Sequence, residues 1–425
     1  MPTDWKLSDV IPIPKTSPAT IEKLRPISQI CVPAKMMEKA ILLHYKSILY
    51  NYVDAQQYAY KPQSSTTCAL IDMHDTITKF LDNKSCNNVF IIACDMSKAF
   101  DKVSHFSLLS KLYDLCNMPQ NDCILSRGFV KFLVSYLGAR KQRVRIGSVF
   151  SNLCDVTSGV PQGSCLGPPL FSIFLSDLNH VTDFKDVKII KYADDVTFIF
   201  GSYNNCPVIA KIRAILSFMS SYCLKNKLEL NVSKTKILHI SHKTNIQLEL
   251  SLKYEYPDFI VNELCYLGVT FTSNLSWDVH INNIVKRASS RLYALRFLKN
   301  AGCPQTKLLI IYFGIIRPVL EYACQVFVGI NVKHKNMLNK VQKRAHKIIC
   351  NYTCHCNILP NLDNRRLDLS KVLFCKSLIG SHPLNNLIPN CLPSGRFCIH
   401  FCNTTSRQKS FTHYCSVLSN ENFKR

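Results

Sequence analysis

Lys191-Tyr192-Ala193-Asp194-Asp195 sets two adjacent carboxylates between two apolar runs, Val187-Lys188-Ile189-Ile190 and Val196-Thr197-Phe198-Ile199-Phe200. Runs so rich in β-branched and aromatic residues predict strands, and the Ala-Asp-Asp between them predicts the tight turn of a hairpin. Two like charges at a turn tip repel, and both stay ionised at little cost only beside a cation. Hard divalent ions such as Mg2+ take carboxylate oxygens and bridge to phosphates, so the pair suggests two-metal phosphoryl transfer. Taken alone, Asp-Asp is also what a solvated surface turn looks like.

The order of the surrounding segments narrows the reading. Upstream runs Val89-Phe90-Ile91-Ile92-Ala93-Cys94-Asp95, followed by Met96 to Asp101; then comes Ser158-Gly159-Val160-Pro161-Gln162-Gly163-Ser164. Downstream is Leu230-Asn231-Val232-Ser233-Lys234-Thr235-Lys236. Further pieces are Trp5 to Lys15, Leu24-Arg25-Pro26-Ile27-Ser28, Gln56 to Leu70 and Tyr266-Leu267-Gly268. In this order, from about residue 5 to about residue 350, they resemble the reverse transcriptases of non-LTR retrotransposons (LINE elements), closest in texture to the jockey-like group. Each segment is modest evidence, whereas the ordered set is specific.

Composition agrees. At 425 residues the chain exceeds a typical single domain, which predicts two or three subdomains. Lys and Arg number 52 against 28 Asp and Glu, and residues 276–425 alone hold 22 against 5. A basic half of this kind favours a polyanion as strongly as it favours a merely solvated basic surface. The 21 cysteines lack the spacing of a small disulfide scaffold, and Cys94 and Cys165 lie in apolar or motif segments. With no basic start followed by an apolar run and no stretch long enough to span a bilayer, a reducing intracellular compartment and no membrane partner are expected. Cys350, Cys354, His355 and Cys356 hint at zinc, but Cys391, Cys398, His400 and Cys402 offer only a distant, irregular second set.

The resemblance implies an α+β, right-hand polymerase: fingers, a palm with an antiparallel sheet backed by helices, and a helical thumb. Fingers are expected over 1–88, with an edge strand or extended lead-in from Trp5 to Ile13 and helices at 35–50 and 67–80. The palm is expected over 89–245. Its first strand, 89–94, reads as buried on both faces, and a hairpin turns at Gly147-Ser148. Residues 246–350 predict a strand pair around Tyr266-Leu267-Gly268 and then a basic thumb with helices at 279–298, 308–328 and 336–349. Beyond 350 the pattern dissolves into a tail of uncertain fold. Because the chain opens at the fingers, without an endonuclease or ribonuclease H pattern, it reads as a module of a larger element.

The family's chemistry implies roles residue by residue. Asp95 and Asp194 would ligate two Mg2+ ions, with Mn2+ as an alternative, and Asp195 would assist. Asp101 reads better as a cap of the next helix than as a ligand. Phe100 would exclude a ribose 2′-hydroxyl, and Gln162 and Gly163 would lie beneath the dNTP. Lys15 and Arg25 would grip its triphosphate. Lys234, with Lys236 as rival, would protonate pyrophosphate as general acid. Tyr192 would pack under the primer end, with Tyr266, Leu267 and Gly268 as primer grip. Where the family carries aromatic-Gly-Phe-Arg this chain has Tyr58-Ala59-Tyr60-Lys61, which puts template contacts there in doubt. The implied activity is RNA-directed DNA polymerase acting on an RNA template, a DNA primer and dNTP, with nuclear location expected from family habit. An idle relic that only binds RNA is the alternative; an RNA-templated RNA polymerase is disfavoured by Phe100 and by Ala-Asp-Asp.

Overall fold

The computed structural model describes residues 1–14, 20–21, 24–116, 127–179, 184, 186–203, 207–241, 246–350 and 358–422. Lys15, Cys354, His355 and Cys356 lie outside these residues. Among the described residues, two five-stranded sheets and a separate two-stranded pair organise the fold. The strands are β1 (Leu7–Pro14), β2 (Leu24–Ile30), β3 (Cys86–Cys94), β4 (Arg140–Ile146), β5 (Val149–Phe150), β6 (Cys154–Val156), β7 (Lys188–Tyr192), β8 (Asp195–Tyr203), β9 (Lys236–Ser241), β10 (Ile260–Val261), β11 (Glu263–Tyr266) and β12 (Val269–Thr272).

The palm sheet has the order β10-β9-β3-β8-β7, with β3 antiparallel to both β8 and β9. Its central strand is buried on both faces, as its unbroken apolar run predicts. Alternation then divides it between two cores. Val89 and Ile91 pack with the helix Thr66–Asp82 and the thumb, whereas Phe90, Ile92 and Cys94 pack with helices His105–Cys116, Arg127–Leu137, Gly167–Phe174 and Val208–Lys225. The helix Thr66–Asp82, expected in the fingers, therefore lies against β3, β7 and β8 of the palm. It starts where the Ser65 hydroxyl caps the Cys68 N–H.

The fingers sheet corrects a second boundary. Its order is β2-β1-β4-β5, with β6 beside β4, so residues 140–156 leave the palm stretch to complete the fingers. The Trp5–Ile13 segment is consequently no edge strand over its first half: Leu7 to Val10 pair in parallel with Lys141 to Val144 on one side while β2 covers the other. Pro12 and Pro14 fall beyond the reach of β4, where a missing N–H leaves no rung open.

The thumb begins with the β11–β12 hairpin, whose turn residues Leu267 (φ +46°) and Gly268 (φ +80°) are both left-handed, as the favoured two-residue hairpin turn requires. Helices Asp278–Asn300 and Val332–Cys350 match the expected stripes and pack together. The single helix expected over 308–328 is broken instead into Gln305–Ile311, a π-turn at Tyr312–Ile316 and Arg317–Glu321. Pro318 removes an N–H and crowds the carbonyl four residues back, and the widened turn accommodates it. Sequence periodicity also gave no sign of the helix Ile246–Glu255.

The tail is not structureless. Helices Leu362–Ser377, Thr405–Gln408 and Phe411–Asn422 fold back, burying Phe374, Phe397, Phe411 and Cys415 in the same core as β3. They are tied to the helix Thr66–Asp82 by Arg407 paired with the buried Asp75, and by the Thr404 N–H donating to Asp82 at 2.8 Å. Pro, Asn and Ser between these helices mask the segment in the sequence, because its buried anchors meet only through the fold. No helix among the described residues is long and apolar enough to cross a membrane.

Candidate active site

The last rung between β3 and β8 pairs Cys94 with Val196, and the last rung between β7 and β8 pairs Tyr192 with Asp195. Asp95 therefore leaves β3 beside Asp195, and Ala193-Asp194 form the two-residue turn between β7 and β8. Strand register alone brings three carboxylates, about a hundred positions apart in the chain, to one end of the sheet. Their proximity is felt electrostatically. The Asp195 carboxyl is pushed up to about 6, by burial first and then by Asp194 and Asp95. Asp194 is also raised, chiefly by burial and further by Asp95, while Lys234 and Arg25 oppose the rise.

Lys234 is held in place by a small turn. The Asn231 side chain accepts the Lys234 N–H at 3.3 Å, while the Asn231 N–H donates to the Asp95 carbonyl at 2.8 Å. The ammonium of Lys234 then reaches Asp95 Oδ2 at 2.9 Å. Its rival Lys236 points elsewhere, donating to the Asp258 carbonyl. Among the described residues no three His, Cys, Asp or Glu side chains stand close enough to cage an ion as they are placed. One oxygen of Asp95, Oδ2, is engaged by Lys234 instead. The donor set still suits a hard divalent cation: all oxygen, with like charges whose repulsion a cation relieves.

The chain segment 13–271 matches the family described as reverse transcriptase (RNA-dependent DNA polymerase). The chain belongs to that family. Reverse transcriptases work with divalent metal ions. The chain is 29% identical over 368 residues to the probable RNA-directed DNA polymerase from transposon BS of Drosophila melanogaster, covering 82% of this chain and 38% of that protein. It is 27% identical over 361 residues to the RNA-directed DNA polymerase from mobile element jockey of the same fly, covering 80% and 37%. This reverse transcriptase chain thus spans little more than a third of the curated relatives it matches, and its likeness is to the jockey-like, non-LTR group. Telomerase from Candida tropicalis shares 12% identity with it, at a TM-score of 0.45 over 90% of this chain and 68% of that one.

Around the carboxylates of this reverse transcriptase, Phe100 is half-buried, stacked on Phe171 with centroids 4.3 Å apart and met edge-on by Tyr60. Tyr60 feels both Asp194 and Arg25, so β2 brings Arg25 within electrostatic range of the Ala193-Asp194 turn. Ala59 is buried and has no left-handed backbone, so the family's missing glycine introduces no strain there.

The Gly-Val-Pro-Gln-Gly loop crosses two backbones closely. At Gly159 (φ +87°) a Cβ would lie 2.7 Å from the Asp101 carbonyl, and at Gly163 (φ +123°) 2.6 Å from that of Ser28. Both positions demand glycine. The Gln162 carbonyl accepts the Ser28 N–H at 2.8 Å, and its side chain donates to Asp101 Oδ1 at 2.9 Å. Asp101 thus steadies Gln162 and is not the cap of the next helix, where the Ser104 hydroxyl takes the Ser107 N–H.

In the expected primer grip, Tyr266 is only 4% exposed and sits inside the core, within electrostatic range of Asp195. The Leu267-Gly268 turn of this hairpin is fastened by Tyr322, whose hydroxyl donates to the Leu267 carbonyl at 2.8 Å. Tyr192 is half-buried within range of Tyr322.

Sequence reading missed two buried polar residues. Glu38 is fully buried and accepts the Tyr136 hydroxyl at 2.8 Å and the Cys165 N–H at 2.7 Å, bracing the Gln162 loop from below. Gln57 is equally hidden and touches the Ala193 backbone. A lone acidic residue in a helix (Glu38), or an amide in a stretch of turns (Gln57), carries no local signal of what it will meet.

Proposed function

We propose that this chain is the polymerase module of a jockey-like non-LTR element, extending a DNA primer along an RNA template. The convergence of Asp95 with Asp194 and Asp195 at one end of the palm sheet carries the reading. In the reaction the primer 3′-hydroxyl attacks the α-phosphorus of a dNTP, the new P–O bond forms, and the bond to pyrophosphate breaks. Two Mg2+ ions would lower the pKa of the attacking hydroxyl and neutralise the leaving group.

On this reading Asp95 and Asp194 would hold the ions, with Asp195 assisting. Lys234, released from Asp95, would turn to the triphosphate and give its proton to the leaving pyrophosphate. Arg25 pairs with the triphosphate, together with Lys15. Gln162 and Gly163 support sugar and base, Phe100 crowds the 2′ position, and Tyr192 with the Leu267-Gly268 turn steadies the primer end. A nicked chromosomal end as primer would place the work in the nucleus.

Primer extension on an RNA template tests this. The wild type should extend with dNTP and not with rNTP, Asp194→Asn should lose extension, and Phe100→Ala should admit rNTP. Retained RNA binding with no extension by the wild type would instead indicate a relic.

A further inference from the structure

We propose that Gln57 is the positioning residue of the catalytic turn, its carboxamide holding the Ala193 backbone left-handed and so aiming Asp194. The inference rests on the polymerase reading of Asp194. Ala193 has φ +56°. For an L-residue that conformation costs about 1–2 kcal/mol, and it persists only where the surroundings enforce it. Asp194 follows immediately, so the torsions of Ala193 decide where its carboxylate points.

One planar amide grips both polar groups of Ala193. Gln57 Oε1 accepts the Ala193 N–H at 3.0 Å, and Gln57 Nε2 donates to the Ala193 carbonyl at 3.4 Å. Oε1 also accepts the Ala59 N–H at 3.0 Å, and Gln57 is 1% exposed. Its own backbone is fixed against the edge strand of the palm. The Lys191 N–H donates to the Gln56 carbonyl and the Tyr58 N–H to the Lys191 carbonyl, each at 2.9 Å. Lys191 then runs its buried ammonium to Asp54 at 2.5 Å and to the Leu175 carbonyl at 2.9 Å. Segment 54–59 is thus an extra rung on β7. The Gln57 side chain continues the hydrogen bonding past the end of the strand, where main chain no longer reaches.

Gln57→Met keeps length and removes both bonds. A misaimed ligand should lower kcat about 10- to 100-fold while leaving dNTP KM and primer–template affinity within about twofold. Amide hydrogen exchange, which needs no activity, should accelerate at Ala193 by about tenfold or more and stay unchanged at Ile190. Gln57→Glu retains the acceptor, and should keep Ala193 protected and recover most of the turnover. Should Gln57→Met not fold, Gln57→Glu carries the test alone: an Ala193 N–H exchanging freely with full kcat overturns the proposal. Unchanged exchange at Ala193 in Gln57→Met also overturns it, as does a kcat loss matched by equal losses in template affinity and melting temperature. A wild type that protects Ala193 yet extends no primer removes the polymerase reading and leaves the clamp standing.

Discussion

Lys234 Nζ lies 2.9 Å from Asp95 Oδ2, so the lysine of one motif neutralises the carboxylate of another that precedes it by 139 residues. The lysine side chain is 63% exposed and the aspartate 21%, which makes the pair weak as a source of stability. Its consequence is competition, because the charge that holds Asp95 is the charge a divalent cation must replace. Lys234→Met should therefore tighten Mn2+ binding to the protein without substrate, by roughly 3- to 10-fold, while slowing primer extension. Titration of Mn2+ by magnetic resonance reads the first effect. Unchanged or weaker binding would show that the lysine does not compete for Asp95.

The raised carboxyls give stability a pH dependence of definite sign. With its folded value near 6 and an ordinary value of 3.8, Asp195 binds a proton more tightly folded than unfolded. Its contribution is full below the ordinary value and is lost as pH rises through 6; Asp194 acts in the same direction. Asp195→Asn should melt close to wild type at acid pH and several degrees above it at neutral pH. Added Mg2+ should narrow that gap by stabilising the wild type. Calorimetry across the range decides, and a gap that widens toward acid would refute the assignment.

Glu38 links the helix Val32–Asn51 to the loop bearing Gln162 through the Tyr136 hydroxyl, which also meets Ser164 Oγ at 2.8 Å. Glu38→Ala leaves the part-buried Cys165 N–H without its acceptor and the Tyr136 hydroxyl with Ser164 alone, at about 1–3 kcal/mol in all. The expected outcome is a lower midpoint in urea and a raised KM for dNTP, with primer affinity retained. Glu38→Gln, which keeps one acceptor oxygen, should fall between.

Asp75 is 1% exposed and is held by Arg407, Lys79 and Thr412. Burial works to raise its carboxyl, but Arg407 and Lys79 outweigh it and hold the group below the usual range. Arg407→Ala should cost about 3 kcal/mol, because it leaves a buried charge with only the Thr412 hydroxyl and a half-exposed lysine. Asp75→Asn placed on top of it should recover part of the loss. Equal stability of Arg407→Ala and wild type in chemical denaturation would mean that the C-terminal helices are dispensable to the core.

Legibility of the chain followed the range of the forces involved. Strands β3, β7 and β8, the hairpin tip and most long helices were readable because apolar periodicity and turn chemistry act over a few residues. Asp95, Asp194 and Asp195 were readable as candidates because their order among the other motifs carried the resemblance. Whether these acids meet was a question of register, and Cys94 opposite Val196 answers it. The fingers boundary failed for the same reason. Nothing local in residues 140–156 says that β4 will choose β1, which lies over a hundred residues earlier, as its parallel partner.

By itself, then, the sequence determined which segments become strands or helices and which residue types are offered to the chemistry, since local sterics and apolar spacing suffice for both. Only the tertiary structure decided that Lys234 rests on Asp95, that Tyr266 turns inward, that Gln57 grips Ala193, and that the tail closes on Asp75. Each of those depends on packing and hydrogen bonding between distant segments, and such partners are fixed only when the whole chain competes for the same interior.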